Sequence, residues 1–294
     1  MNQAKLAQLT EKYGNHIEDG KIYHPDFAAA AAVPGASRAT GHSKWPLSDP
    51  ATFLNLAYDA AAYETQFAGL DVAIIGVPMD LGAGDRPGCR FGPQAVRSIS
   101  RVGPYDRILN IAPAGVLKVM DVGDVAFTNP RSLEQCHQDI EDYYLRVMEA
   151  GVLPLTVGGD HSITYSILRA VGKHRPVACV HFDAHCDTSG ASGTKYHHGG
   201  PFRQAVLDGV LDPEKTVQIG IRGGGAYHGE FSLESGMTVI YGEDILERGT
   251  SYAIEQIRRT ECFDFFRLRP IICRRHRDLH QAALAVFPYH FSME

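Results

Sequence analysis

Cysteine is scarce and unpatterned. The six cysteines (Cys89, Cys136, Cys179, Cys186, Cys262, Cys273) include no CxxC pair and fall far short of a disulfide scaffold, which points to a reducing compartment, the cytoplasm. Long hydrophobic runs are missing too. Stretches such as Val72 to Val77 are far shorter than the ~20 residues a membrane span needs, and the start MNQAKLAQLTEKYG has no apolar targeting core, so neither a span nor a leader is expected. The formal charge of -6 is spread along the chain, with no basic stripe to track phosphates, so no nucleic-acid partner is expected. No GxxxxGK[ST] or GxGxxG follows a strand in the right register, which argues against a phosphate loop. What remains is an ordinary globular composition, 44% hydrophobic over 294 residues, enough for one large α/β domain or two small ones. A small-molecule partner fits it best.

Residues 1–70 read as an N-terminal extension with a short helix ending at Gly14, an alanine run from Ala28 to Ala32, and a Pro/Ser/Asp-rich stretch from Trp45 to Pro50. From Asp71 the pattern becomes regular. Short β-branched runs (VAIIGV, VLKVMDV, VLPLTV, VACVHF, TVQIGI, TVIYG) are separated by amphipathic stretches such as Leu133 to Met148. Strands alternating with helices predict an α/β fold with a mainly parallel sheet covered on both faces, over residues 71–261.

Ligands of such sheets bind beyond the carboxyl ends of the strands, so the polar residues that follow each apolar run carry the information. VLPLTV is followed by Gly158-Gly159-Asp160-His161-Ser162, VACVHF by Asp183-Ala184-His185-Cys186-Asp187, and TVQIGI by Arg222 and a run of glycines. Alternation along a strand would face Asp183, His185 and Asp187 the same way, with His161 joining them from the neighbouring strand end. One histidine or aspartate at a strand end is usually a cap or a satisfied rim hydrogen bond. Four together, several of them carboxylates, are costly to gather without a cation, and imidazole with carboxylates suits an octahedral divalent ion such as manganese rather than structural zinc. Cys186 reads as packing, with a soft ligand or redox thiol as the alternative.

These residues resemble the ureohydrolases, the family of arginase, agmatinase, guanidinobutyrase and relatives. The resemblance runs from about Asp71 to Arg259. It is carried by GVPMD continuing into RPGCRFGPQAVR (Arg86 to Arg97), which looks like the agmatinase-type loop, and by GGDHS followed some twenty residues later by DAHCD. The resemblance implies a three-layer αβα fold and two Mn2+ per subunit, or nickel in their place. It implies His161 and Asp187 on one ion, His185 on the other, and Asp183 bridging both. His198 in HHGGPF matches the family histidine thought to shuttle protons, with His197 its uncertain neighbour. The implied reaction is hydrolysis of a guanidino compound to urea and an amine through a metal-bridging hydroxide, by a homo-oligomer. Agmatine, guanidinobutyrate, arginine and guanidine itself all stay open as substrates.

The expected carboxylates of an SxDxDxxDP motif, and a glutamate beyond it, do not follow. Phe263-Asp264-Phe265-Phe266-Arg267 begins like that motif and then leaves it, and five arginines crowd Arg267 to Arg277. Residues 262–294 are therefore expected to be an aberrant tail that leaves the C-terminal part of the fold incomplete. Codons can be chosen for Arg269 to Cys273 that read Asp-Pro-Ser-Phe-Ala in another frame, so a frame change accounts for the break; splicing, a gene-model error and true divergence are the alternatives. The leading expectation is a metal-dependent amidinohydrolase impaired in this chain. A catalytically inactive subunit with a regulatory or assembly role, and a single-zinc deacetylase-like hydrolase, are the competing readings.

Overall fold

The computed structural model describes residues 2–13, 17–18, 21–22, 50–99, 114, 117–190, 193–222 and 229–260. The alanine run 28–32, the glycines after Arg222, Asp264 and the whole tail 262–294 lie outside the described residues. A first helix, α1 (Gln3–Tyr13), precedes a two-residue antiparallel pair, β1 (Ile17–Glu18) and β2 (Lys21–Ile22).

Each β-branched run then becomes a strand, because branched side chains pack well on a pleated, buried surface. These are β3 (Val72–Val77), β4 (Val119–Asp124), β5 (Leu153–Gly158), β6 (Val177–Phe182), β7 (Leu211–Ile221) and β8 (Thr238–Tyr241). All their pairings are parallel, as the alternation of strands and helices predicts. Helices α2 (Gly92–Arg97), α3 (Leu133–Glu149), α4 (Ile163–Val171), α5 (Pro201–Leu207), α6 (Glu230–Ser235), α7 (Gly242–Arg248) and α8 (Thr250–Arg259) flank them, giving the three-layer αβα architecture. One expectation needs correcting. Among the described residues the strands form two three-stranded sheets, ordered β4-β3-β5 and β6-β7-β8, so β5 and β6 are not hydrogen-bonded neighbours.

Helix α3 shows how sequence sets an element. Ser132 caps it, its Oγ accepting from the backbone N–H of Gln135 at 3.3 Å, and Glu134 in the first turn favours the positive end of the helix dipole. Cys136, Ile140, Tyr143, Tyr144 and Val147 recur at three- and four-residue spacing and are buried. Full burial of Ile140 alone is worth roughly 1.5–3 kcal/mol. The buried Tyr144 hydroxyl meets the Thr156 Oγ at 2.6 Å, tying α3 to β5.

Residues 50–70, expected with the N-terminal extension, contribute to the core. Phe53, Leu56, Ala62 and Phe67 are buried, Tyr63 stacks on Tyr143 at 5.1 Å, and Tyr58 bridges to Asp121 on β4. Arg97 of α2 locks this segment down. Its guanidinium bonds both oxygens of the buried Asp121 and one of Asp124, and lies 3.9 Å from the centre of the Phe53 ring. No helix among the described residues is long and apolar enough to cross a membrane.

Candidate metal centre

The GGDHS turn leaves the end of β5 through Gly159, whose φ is +92° and whose added Cβ would sit 2.5 Å from the Val77 carbonyl oxygen. Only glycine allows that approach. The turn places Asp160, His161 and Ser162 in the interior. Asp160 organises it: one carboxylate oxygen accepts from the Ser162 N–H at 2.8 Å and the other from the Gly82 N–H at 2.9 Å. Burial raises its pKa against those hydrogen bonds. Behind the turn, Ser162 Oγ meets Nε2 of the buried His137 at 3.2 Å, and His137 Nδ1 meets Ser166 Oγ at 2.8 Å. Burial, helped by the Lys195 charge, pushes His137 down to about 3, so it is neutral.

The second motif departs from its expected geometry. Strand β6 ends at Phe182, so Asp183, His185 and Asp187 do not alternate along a strand. The His185 N–H donates to Asp183 Oδ1 at 2.8 Å, closing an Asx turn, and Asp187 has a left-handed φ of +50°. The turn brings Asp187 back towards Asp183 and throws His185 outward. The His185 side chain is 63% exposed, its Nδ1 3.4 Å from Asp183 Oδ1. Strand alternation does act one step earlier, where His181 and Asp183 share a face.

The group that forms is His161, His181, Asp183 and Asp187, each offering one ligand atom within 4.8 Å of the others. The structure thus gathers three of the four expected ligands, leaves His185 at the rim and adds His181. The missed histidine had a signal: it stands at i−2 from Asp183 in an otherwise apolar run. Asp183 Oδ2 lies 3.5 Å from both His161 Nδ1 and His181 Nε2, and Asp187 Oδ2 lies 2.5 Å from His161 Nδ1.

Charge and satisfaction both point to a cation. Burial opposes a charged His161, but Asp187, Asp183 and Asp160 together raise its pKa. Burial likewise opposes the Asp183 carboxylate, yet the nearby His181 ring and the hydrogen bond from the His185 N–H hold it below the usual range. Despite the close carboxylates, both ring nitrogens of His161 and Nε2 of His181 lack an aligned hydrogen-bond partner. Buried imidazole nitrogens are rarely left so. Two carboxylates beside bare ring nitrogens are a donor set that fits a divalent metal ion.

Around this group, His198 is half-buried, its N–H bonded to the Gly82 carbonyl at 3.0 Å and its Nε2 3.4 Å from the Gly84 N–H. Its neighbour His197 has a buried Nε2 without an aligned partner, and burial lowers its pKa. Cys186 is buried and free, and burial raises its pKa. In the loop before α2, Arg90 is paired with the buried Asp80.

Parallel strands ending in a His/Asp cluster are the layout of a metal-centred α/β protein. The Arginase family profile matches residues 70–262, and the chain belongs to that family, on its agmatinase-like side. It is 44% identical to a guanidinopropionase from Pseudomonas aeruginosa over 201 residues, covering 66% of this chain and 63% of that protein. It is 50% identical to a mitochondrial agmatinase from Gallus gallus over 163 residues, 54% of this chain and 48% of that one. The chain therefore spans less than two thirds of these curated relatives. Among solved structures, proclavaminate amidino hydrolase from Streptomyces clavuligerus superposes with a TM-score of 0.66 at 34% identity, covering 73% of this chain and 70% of that one.

Proposed function

We propose that residues 71–261, with residues 50–70 packed into their core, form a hydrolytic unit that cleaves a C–N bond of a small guanidino compound to give urea and an amine, and that 262–294 is a tail of aberrant sequence. One observation carries this: His161, Asp183 and Asp187 are brought together, and both buried ring nitrogens of His161 are unsatisfied. The names of the relatives support the substrate class. In this reading His161, Asp183 and Asp187 hold Mn2+, or nickel, with His185 approaching from the rim. A bound divalent ion supplies the Lewis acidity that makes water a competent nucleophile near neutral pH.

The chain's own residues do the rest. Asp160 and Ser162 fix the His161 turn from behind. As the C–N bond breaks, its electron pair leaves with the amine nitrogen, which must gain a proton. His198, held by its backbone bond to Gly82, delivers it from Nδ1, because its Nε2 accepts from the Gly84 N–H, and regains a proton that the attacking water sheds. His161, Asp183 and Asp187, with His185 at the rim, are too few among the described residues for two six-coordinate ions, so we read this chain as impaired. The same shortfall favours, as a second reading, an inactive subunit in an oligomer of this fold. The cytoplasm fits the thiols Cys89, Cys136 and Cys186, none of them in a disulfide.

The test is urea release from agmatine, guanidinobutyrate and guanidinopropionate with Mn2+, on this chain and on one whose tail is restored to the SxDxDxxDP pattern. The restored chain should turn over, and His198→Ala should slow it roughly 100-fold or more with metal content unchanged, as general-acid catalysis is worth about 10²–10⁴. Urea release that survives exhaustive chelation would sink the metal reading.

A further inference from the structure

Gln218 of β7 pairs in register with His181 of β6 and is completely buried. Its amide nitrogen lies 2.6 Å from the Cys186 carbonyl oxygen and 3.3 Å from His181 Nδ1. A carbonyl only accepts, so the atom facing it must be the NH2; the flipped amide would press two oxygens together there. The NH2 has a second hydrogen for His181 Nδ1, which must then accept. The amide oxygen meanwhile has no donor among the described residues. Leaving it bare is unfavourable, so the orientation is imposed by the Cys186 carbonyl rather than by the oxygen's own needs.

An imidazole that accepts at Nδ1 carries its hydrogen on Nε2, and the carboxylate oxygen facing that nitrogen is Asp183 Oδ2 at 3.5 Å, out of line in this structure and reached by a small rotation of the carboxylate. A nitrogen bearing hydrogen has no lone pair for a cation. We propose that Gln218 fixes His181 as an Nε2–H donor that orients Asp183, so that His181 stands behind the metal ligands and is a positioning residue rather than one of them. Its closeness to the other donor atoms is then that of a supporting shell. The chain's first-rank donors reduce to His161, Asp183 and Asp187. The inference rests on the metal-centre reading only in taking Asp183 as a ligand.

Nitrogen NMR of the full 294-residue chain with 15N-labelled histidine and no added metal reads the tautomer directly, the His181 signals being assigned by their loss in His181→Gln. The expected result is hydrogen on Nε2 and a bare Nδ1 that accepts a hydrogen bond, retained when Zn2+ is added as a diamagnetic ion. Hydrogen on Nδ1, or loss of the Nε2 hydrogen when Zn2+ binds, overturns the proposal. Mn2+ titration gives a second arm that needs no activity. His181→Gln, which keeps an N–H near the same place, should bind within a few-fold of the parent, whereas His181→Leu should bind about 10–100-fold more weakly. Equal losses in both variants count against the donor role. Asp183→Asn separates the two claims: undiminished Mn2+ binding there defeats the metal-centre reading, while the tautomer result stands or falls on its own.

Discussion

Asp183 is the side chain on which the site converges: His161 and His181 face one of its oxygens, and the His185 N–H bonds the other. Replacing it by asparagine keeps the shape and removes the charge. Mn2+ affinity of Asp183→Asn should fall at least 10–100-fold, since losing even a supporting partner costs about that much, and isothermal titration against the parent chain checks it. At this scale the sequence was legible where polar residues follow an apolar run, which is why His161, Asp183 and Asp187 could be read directly. His181 and Gln218 lie inside such runs, where a lone polar residue looks like an ordinary buried one. The outward turn of His185 was unreadable for another reason. It depends on a hydrogen bond from its own backbone to Asp183, which competes with strand geometry and leaves no periodic trace.

Helices α2, α3 and α4 carry buried polar contacts, and two of these are testable. Arg97 of α2 is the main partner of Asp121, a carboxylate with no exposure. Arg97→Met would leave that charge buried and unpaired, so the chain should lose about 3–5 kcal/mol of stability, as breaking a buried pair does; urea unfolding measures it, and a loss under 1 kcal/mol would contradict the buried-pair account. His137 of α3 joins Ser162 of the metal-site turn to Ser166 of α4. Its pKa is about 3 in the folded chain against an ordinary 6.5. The sign follows: above 6.5 neither state takes the proton, and below it only the unfolded state does. Stability is therefore lost as pH falls from about 6.5 towards about 3, by up to roughly 1.4 kcal/mol per pH unit. Melting curves between pH 7 and 4.5 should show a shallower acid limb for His137→Gln than for the parent, and identical slopes would show that His137 is not buried neutral. Helix α3 itself was legible, since its apolar spacing over Leu133 to Met148 matches the observed Leu133–Glu149. The packing of Phe53, Leu56 and Phe67 was not, because those residues lie in turns with no period to read.

For the whole molecule, sequence pattern gave the parallel α/β class because strands and helices alternate, but pattern alone does not say which strands touch. The strands fall into β4-β3-β5 and β6-β7-β8, and the candidate metal residues come from one edge strand of each, His161 after β5 and His181 to Asp187 at β6. The candidate residues thus draw on both sheets, so a bound cation should stabilise the fold as well as the site. At 100 times its dissociation constant an ion contributes about 2.7 kcal/mol, so Mn2+ should raise the melting temperature of the parent chain and leave Asp183→Asn unmoved. The most direct test of the central claim is the metal content of the purified 294-residue chain after equilibration with Mn2+, read beside urea release from agmatine and guanidinobutyrate. The account predicts saturable binding of clearly fewer than two ions per chain, abolished by Asp183→Asn, with no detectable urea. Two tightly held ions with normal turnover, or no saturable binding at all, would contradict it.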